Sequence, residues 1–153
     1  MTTRCAAVFA LCCSIACTAQ TAIDLSVPHE VSRRFGLEDL WSKFDISERI
    51  NPFYLRADID GDGKPDYIAL VDEKSTHQEY LALLLSSRAK VRLYPRKGRK
   101  FDGWTIVDQR YLTQRTRSIL RATHREAFVL KFGGPVILEY WDGQDLKSEP
   151  WGD

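Results

Sequence analysis

The sequence predicts an α+β fold, mostly antiparallel β-sheet with an N-terminal helical segment. Two patterns predict this class. Apolar residues at helical spacing come first, and from residue 53 onward short apolar or alternating runs are separated by turn-forming Asp, Gly and Pro residues. In one of these runs polar and apolar residues alternate, as expected for a strand with one face in water.

Residues 1–19 are predicted to be an export signal rather than part of the fold. The apolar run 6–16 follows a positive charge, and small residues come after it. The run is too short to span a bilayer, and cleavage after Ala19 or Ala22 fits the pattern. The alternative is a lipoprotein acylated at Cys17, although the residue three positions earlier is not the leucine usual in that motif.

All the cysteines lie within this predicted signal, so the remaining domain, residues 23–153, cannot form a disulfide. Removing the signal leaves equal numbers of basic and acidic side chains, which argues against a general polyanion binder. The short signal and the lack of disulfides favour a bacterial periplasmic or secreted protein. A nucleic-acid partner is not expected for an exported chain, and no later segment is long enough to cross a membrane.

The first ordered element is predicted to be helical, beginning near Pro28 and ending before Pro52. Its apolar positions follow the i, i+3, i+4, i+7 spacing of an amphipathic helix: Leu37, Leu40, Trp41 and Phe44. Gly36 can divide the region into two short helices.

Strands are predicted over most of the remaining chain, at residues 53–57, 67–71, 80–85, 89–94, 104–107, 127–132 and 136–141, with a final short strand ending near Trp151. Residues 109–122 are ambiguous, and a short helix is the favoured interpretation. The pattern indicates one domain without a linker or a low-complexity tract.

The most specific motif lies between the first two predicted strands. Carboxylates occupy positions 1, 3, 5 and 9 of a loop that has glycine at position 6, and these residues are Asp58, Asp60, Asp62, Asp66 and Gly63. This spacing directs alternate oxygens at one hard cation, and glycine permits the sharp turn. A soluble Gly-rich turn is the competing interpretation, but four converging carboxylates repel one another without a cation. A flexible, all-oxygen loop suits calcium better than magnesium.

The loop is not an EF-hand, because position 12 is Ala69 and the flanks are strand-like. Its Asp and Gly spacing instead resembles the calcium loops of FG-GAP/VCBS-type repeats. That resemblance implies side-chain ligands from the four loop aspartates and a backbone carbonyl ligand from Lys64. It covers only the loop and the strand that follows, and the chain is too short for a propeller of such repeats. More loosely, the order of features resembles small exported bacterial proteins of unassigned function.

A basic run at residues 88–100 is the second notable feature. Its candidate binding residues are Arg96, Lys97, Arg99 and Lys100. Such a run usually forms a solvated face that protects a sheet edge. The functional interpretation is an electropositive surface for an anionic envelope protein or polyanion.

These features predict a small exported binding module that is stabilised by structural calcium and is not an enzyme. The sequence contains no nucleophile elbow, P-loop or dinucleotide fingerprint, and its histidines do not form a metal-ligand pair. The alternative is a periplasmic inhibitor or immunity protein that acts on an envelope hydrolase. A calcium-dependent hydrolase is the third hypothesis.

Overall fold

The computed structural model describes residues 27–97, 100–107, 110 and 112–151. It confirms the α+β class, because the described chain forms two antiparallel sheets and two α-helices. The elements are α1 (His29–Leu37), a 3₁₀ turn (Leu40–Ser42), β1 (Phe44–Ile46), β2 (Tyr54–Ala57), β3 (Asp66–Glu73), β4 (Glu79–Leu84), β5 (Arg92–Pro95), β6 (Gly103–Ile106), α2 (Gln114–Thr123), β7 (Ala127–Lys131), β8 (Val136–Trp141) and β9 (Leu146–Trp151). The predicted signal, Cys17 and Arg99 lie outside the described residues.

The strands divide between two sheets in the order of the chain. Sheet 1 has the order β1-β3-β4-β5, and β2 also pairs with β3. Strand β1 pairs with the far end of β3, around Val71, whereas β2 pairs with its beginning, around Ile68. Sheet 2 is the meander β6-β7-β8-β9. Consecutive strands therefore pair throughout sheet 2 and from β2 to β5 in sheet 1, whereas β1 skips β2 and pairs with β3.

The two sheets pack face to face, and each carries a helix on its outer face. Alternate residues of β3 and β7, such as Leu70 and Phe128, meet in the core between the sheets. On the outer face of sheet 1, Phe35 of α1 packs in a second core. On the outer face of sheet 2, Leu120 of α2 packs in a third. The layers are therefore α1, sheet 1, sheet 2 and α2.

The long N-terminal helical prediction is wrong beyond Leu37. The left-handed backbone of Asp39, with φ 52°, ends regular helix, and only one 3₁₀ turn follows. Phe44 does not lie on a helix but opens β1, where it pairs with Glu73 and packs in the outer core. Because Leu37 is no longer on a packed stripe, it is 73% exposed. Pairing with β3 overrides the local helical spacing here.

The ambiguous segment before β7 does form a helix, α2, as favoured from the sequence. Thr113 begins it, because its hydroxyl accepts a hydrogen bond from the backbone N–H of Thr116 at 3.3 Å. The basic strand begins at Arg92, later than predicted. In the described part of the chain, neither helix is long and apolar enough to cross a membrane.

Candidate metal centre

The acidic loop, residues 58–66, connects β2 to β3 at one end of sheet 1. The carboxylate of Asp58 folds the loop around itself, because it accepts backbone N–H groups of Gly61 at 2.9 Å and Gly63 at 3.0 Å. Both glycines have positive φ, 81° and 80° respectively. The prediction that Gly63 provides the sharp turn is therefore confirmed.

Three of the four predicted carboxylates converge. Asp58, Asp60 and Asp66 each offer an oxygen, and these oxygens lie within 4.8 Å of one another. Asp66 is fully buried, and the other two are half-buried. All the donor atoms in the group are carboxylate oxygens, which are the preferred ligands of hard cations such as Ca²⁺. The loop can therefore collect one hard cation near Asp66.

Asp66 is the anchor of the cluster. Its carboxylate accepts backbone N–H groups from Ile59 at 2.8 Å, Asp60 at 3.1 Å and Ser86 at 2.6 Å. Burial nevertheless raises the pKa of Asp66 to about 6, and the negative charge of Asp60 contributes in the same direction. The buried carboxyl is thus short of positive charge despite three N–H donors.

Asp62 and Lys64 lie at the solvent side of the loop. The Asp62 carboxylate accepts the backbone N–H of Lys64 at 2.8 Å and the hydroxyl of Ser86. The hydrogen bond from Ser86 is the main cause that lowers the pKa of Asp62. The structure therefore does not place Asp62 in the group of three, and its assignment as a ligand, like that of the Lys64 carbonyl, stays a prediction.

Residues distant in sequence hold the loop in place, and the sequence patterns did not identify them. Glu126 Oε2 accepts the backbone N–H of Asp58 at 2.6 Å, and the Glu126 N–H donates to the Asp58 carbonyl at 2.8 Å. Arg125 donates from Nε to the Asp60 carbonyl at 3.2 Å and from Nη1 to the Trp141 carbonyl at 3.1 Å. Because these partners belong to sheet 2 and the segment before β7, the loop joins the two halves of the sandwich.

The basic run does not form a simple cationic face. Arg96 Nη1 lies 3.0 Å from the buried carboxylate of Glu139, and Lys100 Nζ lies 3.3 Å from that of Glu79. Burial raises the pKa of Glu139, and the nearby Arg96 opposes this. Lys97 is exposed, and Arg99 lies outside the described residues. Two of the four candidate cations therefore balance buried acids of the same chain.

Comparison with protein-family models, with curated proteins and with solved structures finds no match to this chain. The interpretation of the acidic loop therefore depends on its spacing in the sequence and on the convergence of three carboxylates in the fold. Its likeness to FG-GAP/VCBS-type loops stays a prediction.

Proposed function

We propose that this protein is an exported, non-enzymatic binding module, periplasmic or secreted, whose fold is stabilised by one calcium ion. The observation that carries the calcium assignment is the group of Asp58, Asp60 and Asp66, whose oxygens lie within 4.8 Å of one another. Such a group suits a hard cation, and the loop around it has the residue spacing of a calcium loop.

The proposed ion has a structural role because of what surrounds the loop. Contacts from Glu126 and Arg125 tie the loop to the segment that enters sheet 2. Gly61 lies so close to Thr123 that an added Cβ would sit 2.1 Å from the Thr123 carbonyl oxygen. An ion that orders this loop would therefore stabilise the junction between the two sheets, and not only a surface turn.

The proposal assigns no catalytic residue. Asp58 and Asp66 already accept backbone N–H groups, and with Asp60 they are the proposed metal ligands. A general base would need a carboxylate or imidazole placed to receive a proton from a substrate. The loop carboxylates instead converge on one another and accept hydrogen bonds from the loop backbone and from Ser86 and Ser87.

Thermal unfolding of the mature protein with and without calcium tests the proposal. With an affinity typical of extracellular modules, Kd about 0.1 mM, ~1 mM calcium should stabilise the fold by about 1.4 kcal/mol. For a domain of this size that corresponds to a rise in Tm of roughly 4–7 °C over the value in chelator.

Asp60→Ala should remove the calcium-dependent rise in Tm. The matched control is Asp102→Ala, which changes an exposed aspartate outside the loop and should keep the full rise. Identical wild-type melting curves in calcium and in chelator would contradict the proposal, as would a rise that survives Asp60→Ala.

A further inference from the structure

A pocket of about 270 Å³ lies on the outer face of sheet 1, where α1 approaches the acidic loop. Its polar lining comes from Glu30 and Arg34 of α1 and from Lys64 and Ser86 on the loop side. The volume is below the ~300–1,000 Å³ typical of sites for drug-sized ligands. An occupant would therefore be about the size of one amino-acid residue.

Arg34 is the unusual member of this lining, because it is a buried arginine with an unused donor. Only 6% of the residue is exposed. Its Nε lies 3.0 Å from a Glu30 carboxylate oxygen, and its Nη2 donates to the Arg88 carbonyl. Its Nη1 is buried and has no hydrogen-bond partner among the described residues. Since buried donors without an acceptor are rare in native proteins, this atom indicates a missing acceptor.

The charges around Arg34 favour an anion with a single charge. Glu30 is shared, because Arg33 Nη2 also lies 2.8 Å from its carboxylate. Arg33, Arg34 and Glu30 together carry one excess positive charge, and Lys64, which also lines the pocket, adds another. A dianionic phosphate fits less well, because the Glu30 carboxylate also lines the pocket and the other donors of Arg34 are occupied.

The remaining walls are apolar. Pro65 comes from the acidic loop, and Tyr67 and Leu84 are cross-strand partners on β3 and β4. Apolar walls favour a ligand with an apolar body, while a small number of polar groups fix the orientation of that ligand. The lining as a whole therefore matches a carboxylate attached to a small apolar group.

We propose that this pocket binds a small monocarboxylate with an apolar body, either a free N-acyl amino acid or the C-terminal residue of a peptide. Arg34 lines the pocket, and a small turn of its side chain brings Nη1, closed to solvent in the structure, to the ligand carboxylate. Lys64 contributes attraction from the rim. The inference deepens the proposed binding function and rests on it, but it does not require that calcium be the ion in the loop.

A titration followed by amide chemical shifts tests the pocket in the mature protein. The spectra are first recorded with and without calcium, so that the response of the acidic loop is known. Calcium-saturated protein is then titrated with N-acetyl-L-leucine and, as the neutral match, N-acetyl-L-leucinamide. The acid should shift residues of α1 and residues 64–67 with a Kd of ~1 mM or below, and the amide should bind at least ~10-fold more weakly.

A second arm identifies the source of the carboxylate. It uses a short peptide that ends in leucine, with a free or an amidated C-terminus. Tighter binding of the free-ended peptide than of N-acetyl-L-leucine assigns the pocket to peptide termini, and the reverse order assigns it to free acids. In either case the amidated peptide should bind weakly.

Variants test the named side chains. Arg34→Met should weaken binding of the acid at least ~10-fold, and Lys64→Met about 2–5-fold, as expected for a buried and an exposed charge respectively. Arg33→Met is the control, because Arg33 also pairs with Glu30 but does not line the pocket. Because it removes a half-exposed charge that has no pocket contact, it should lower the affinity much less than Arg34→Met does.

Three results would overturn the inference: equal binding of acid and amide, no binding of the acid up to ~10 mM, or wild-type affinity in a folded Arg34→Met variant. If Arg34→Met does not fold, Lys64→Met and the acid–amide comparison still decide the question. Calcium-induced shifts without any acid binding would reject the pocket and keep the calcium proposal. Acid binding without calcium-induced shifts would keep the pocket and reject the calcium proposal.

Discussion

The acidic loop at residues 58–66 and the acidic turn at residues 142–145 hold their carboxylates in opposite ways. In the turn, Asp142 accepts two backbone N–H groups at 2.8 Å, and Lys147 Nζ lies 3.3 Å from its carboxylate. The hydrogen bond from the Asp145 N–H, followed by that from the Gln144 N–H and by Lys147, lowers the pKa of Asp142 to about 2.

In the loop, by contrast, the carboxylates face one another. Among the described residues, no lysine or arginine side chain forms an ion pair with Asp58, Asp60 or Asp66. Arg125 approaches, but it donates to the backbone carbonyl of Asp60 instead of to its carboxylate. Burial raises the pKa of Asp66 to about 6.

The difference indicates what each segment requires to be stable. The turn at Asp142 is complete, because N–H groups and a lysine of the same chain balance its charge. The loop has N–H donors, but no salt bridge within the described part of the chain reaches Asp58, Asp60 or Asp66, and the proposed ion would supply that positive charge. A high density of aspartates therefore does not by itself indicate a metal site, whereas aspartates that converge without a cationic partner do favour one.

The largest expected effect concerns the two loop glycines. Gly61→Ala would place a Cβ 2.1 Å from the Thr123 carbonyl oxygen at a φ of 81°, so we expect a loss of ~3 kcal/mol or more in the free energy of unfolding. Gly63→Ala has a similar φ but no atom within 4 Å of the added Cβ, so the loss should be ~1 kcal/mol. Urea unfolding in chelator measures both, and equal losses would show that the loop does not press against Thr123.

A smaller effect is expected from Asp66→Ala. The substitution removes the acceptor of three backbone N–H groups in a buried position, which should cost about 2 kcal/mol without calcium. The gap from the wild type should widen when calcium is added. Asp142→Ala should cost less and should give the same value in calcium and in chelator. A calcium-dependent cost for Asp142→Ala would remove the distinction between the two segments.

The smallest effect is the pH dependence of the acidic turn. Because the pKa of Asp142 is lower in the folded protein than in the unfolded chain, its contribution to stability is present above pH ~4 and is lost as the pH falls toward 2. An NMR titration of the Asp142 carboxyl should give a midpoint near 2. A midpoint at the ordinary value for aspartate would mean that the turn does not hold the carboxylate as described.

Much of the β-structure could be predicted from the sequence, because a short apolar or alternating run is visible in adjacent residues. The run 67–71, which lies in β3, is an example: it is apolar throughout because its neighbouring side chains face the two cores in turn. Phe44 shows the limit: its spacing from Leu40 and Trp41 is helical, but pairing with β3 decides its conformation. The packing of the two sheets depends on which faces meet, and local spacing does not contain that information.

The candidate site, too, could be predicted only in part from the sequence. Three converging carboxylates follow from loop spacing alone, because one turn of chain brings them together. Ser86, Arg125 and Glu126 could not be predicted as neighbours of the loop, since strand pairing and sheet packing bring them there. The unused donor of Arg34 likewise depends on how α1 lies against sheet 1.

The central claim is that the acidic loop binds calcium and that the acidic turn does not. A calcium titration of the mature protein, followed residue by residue through its amide signals, tests this most directly. We predict saturable shifts at residues 58–66, at Ser86 and at residues 123–126, with one ion bound per chain and no comparable shifts at residues 142–145. Absence of shifts in the loop, or equal shifts in the loop and the turn, would contradict the account.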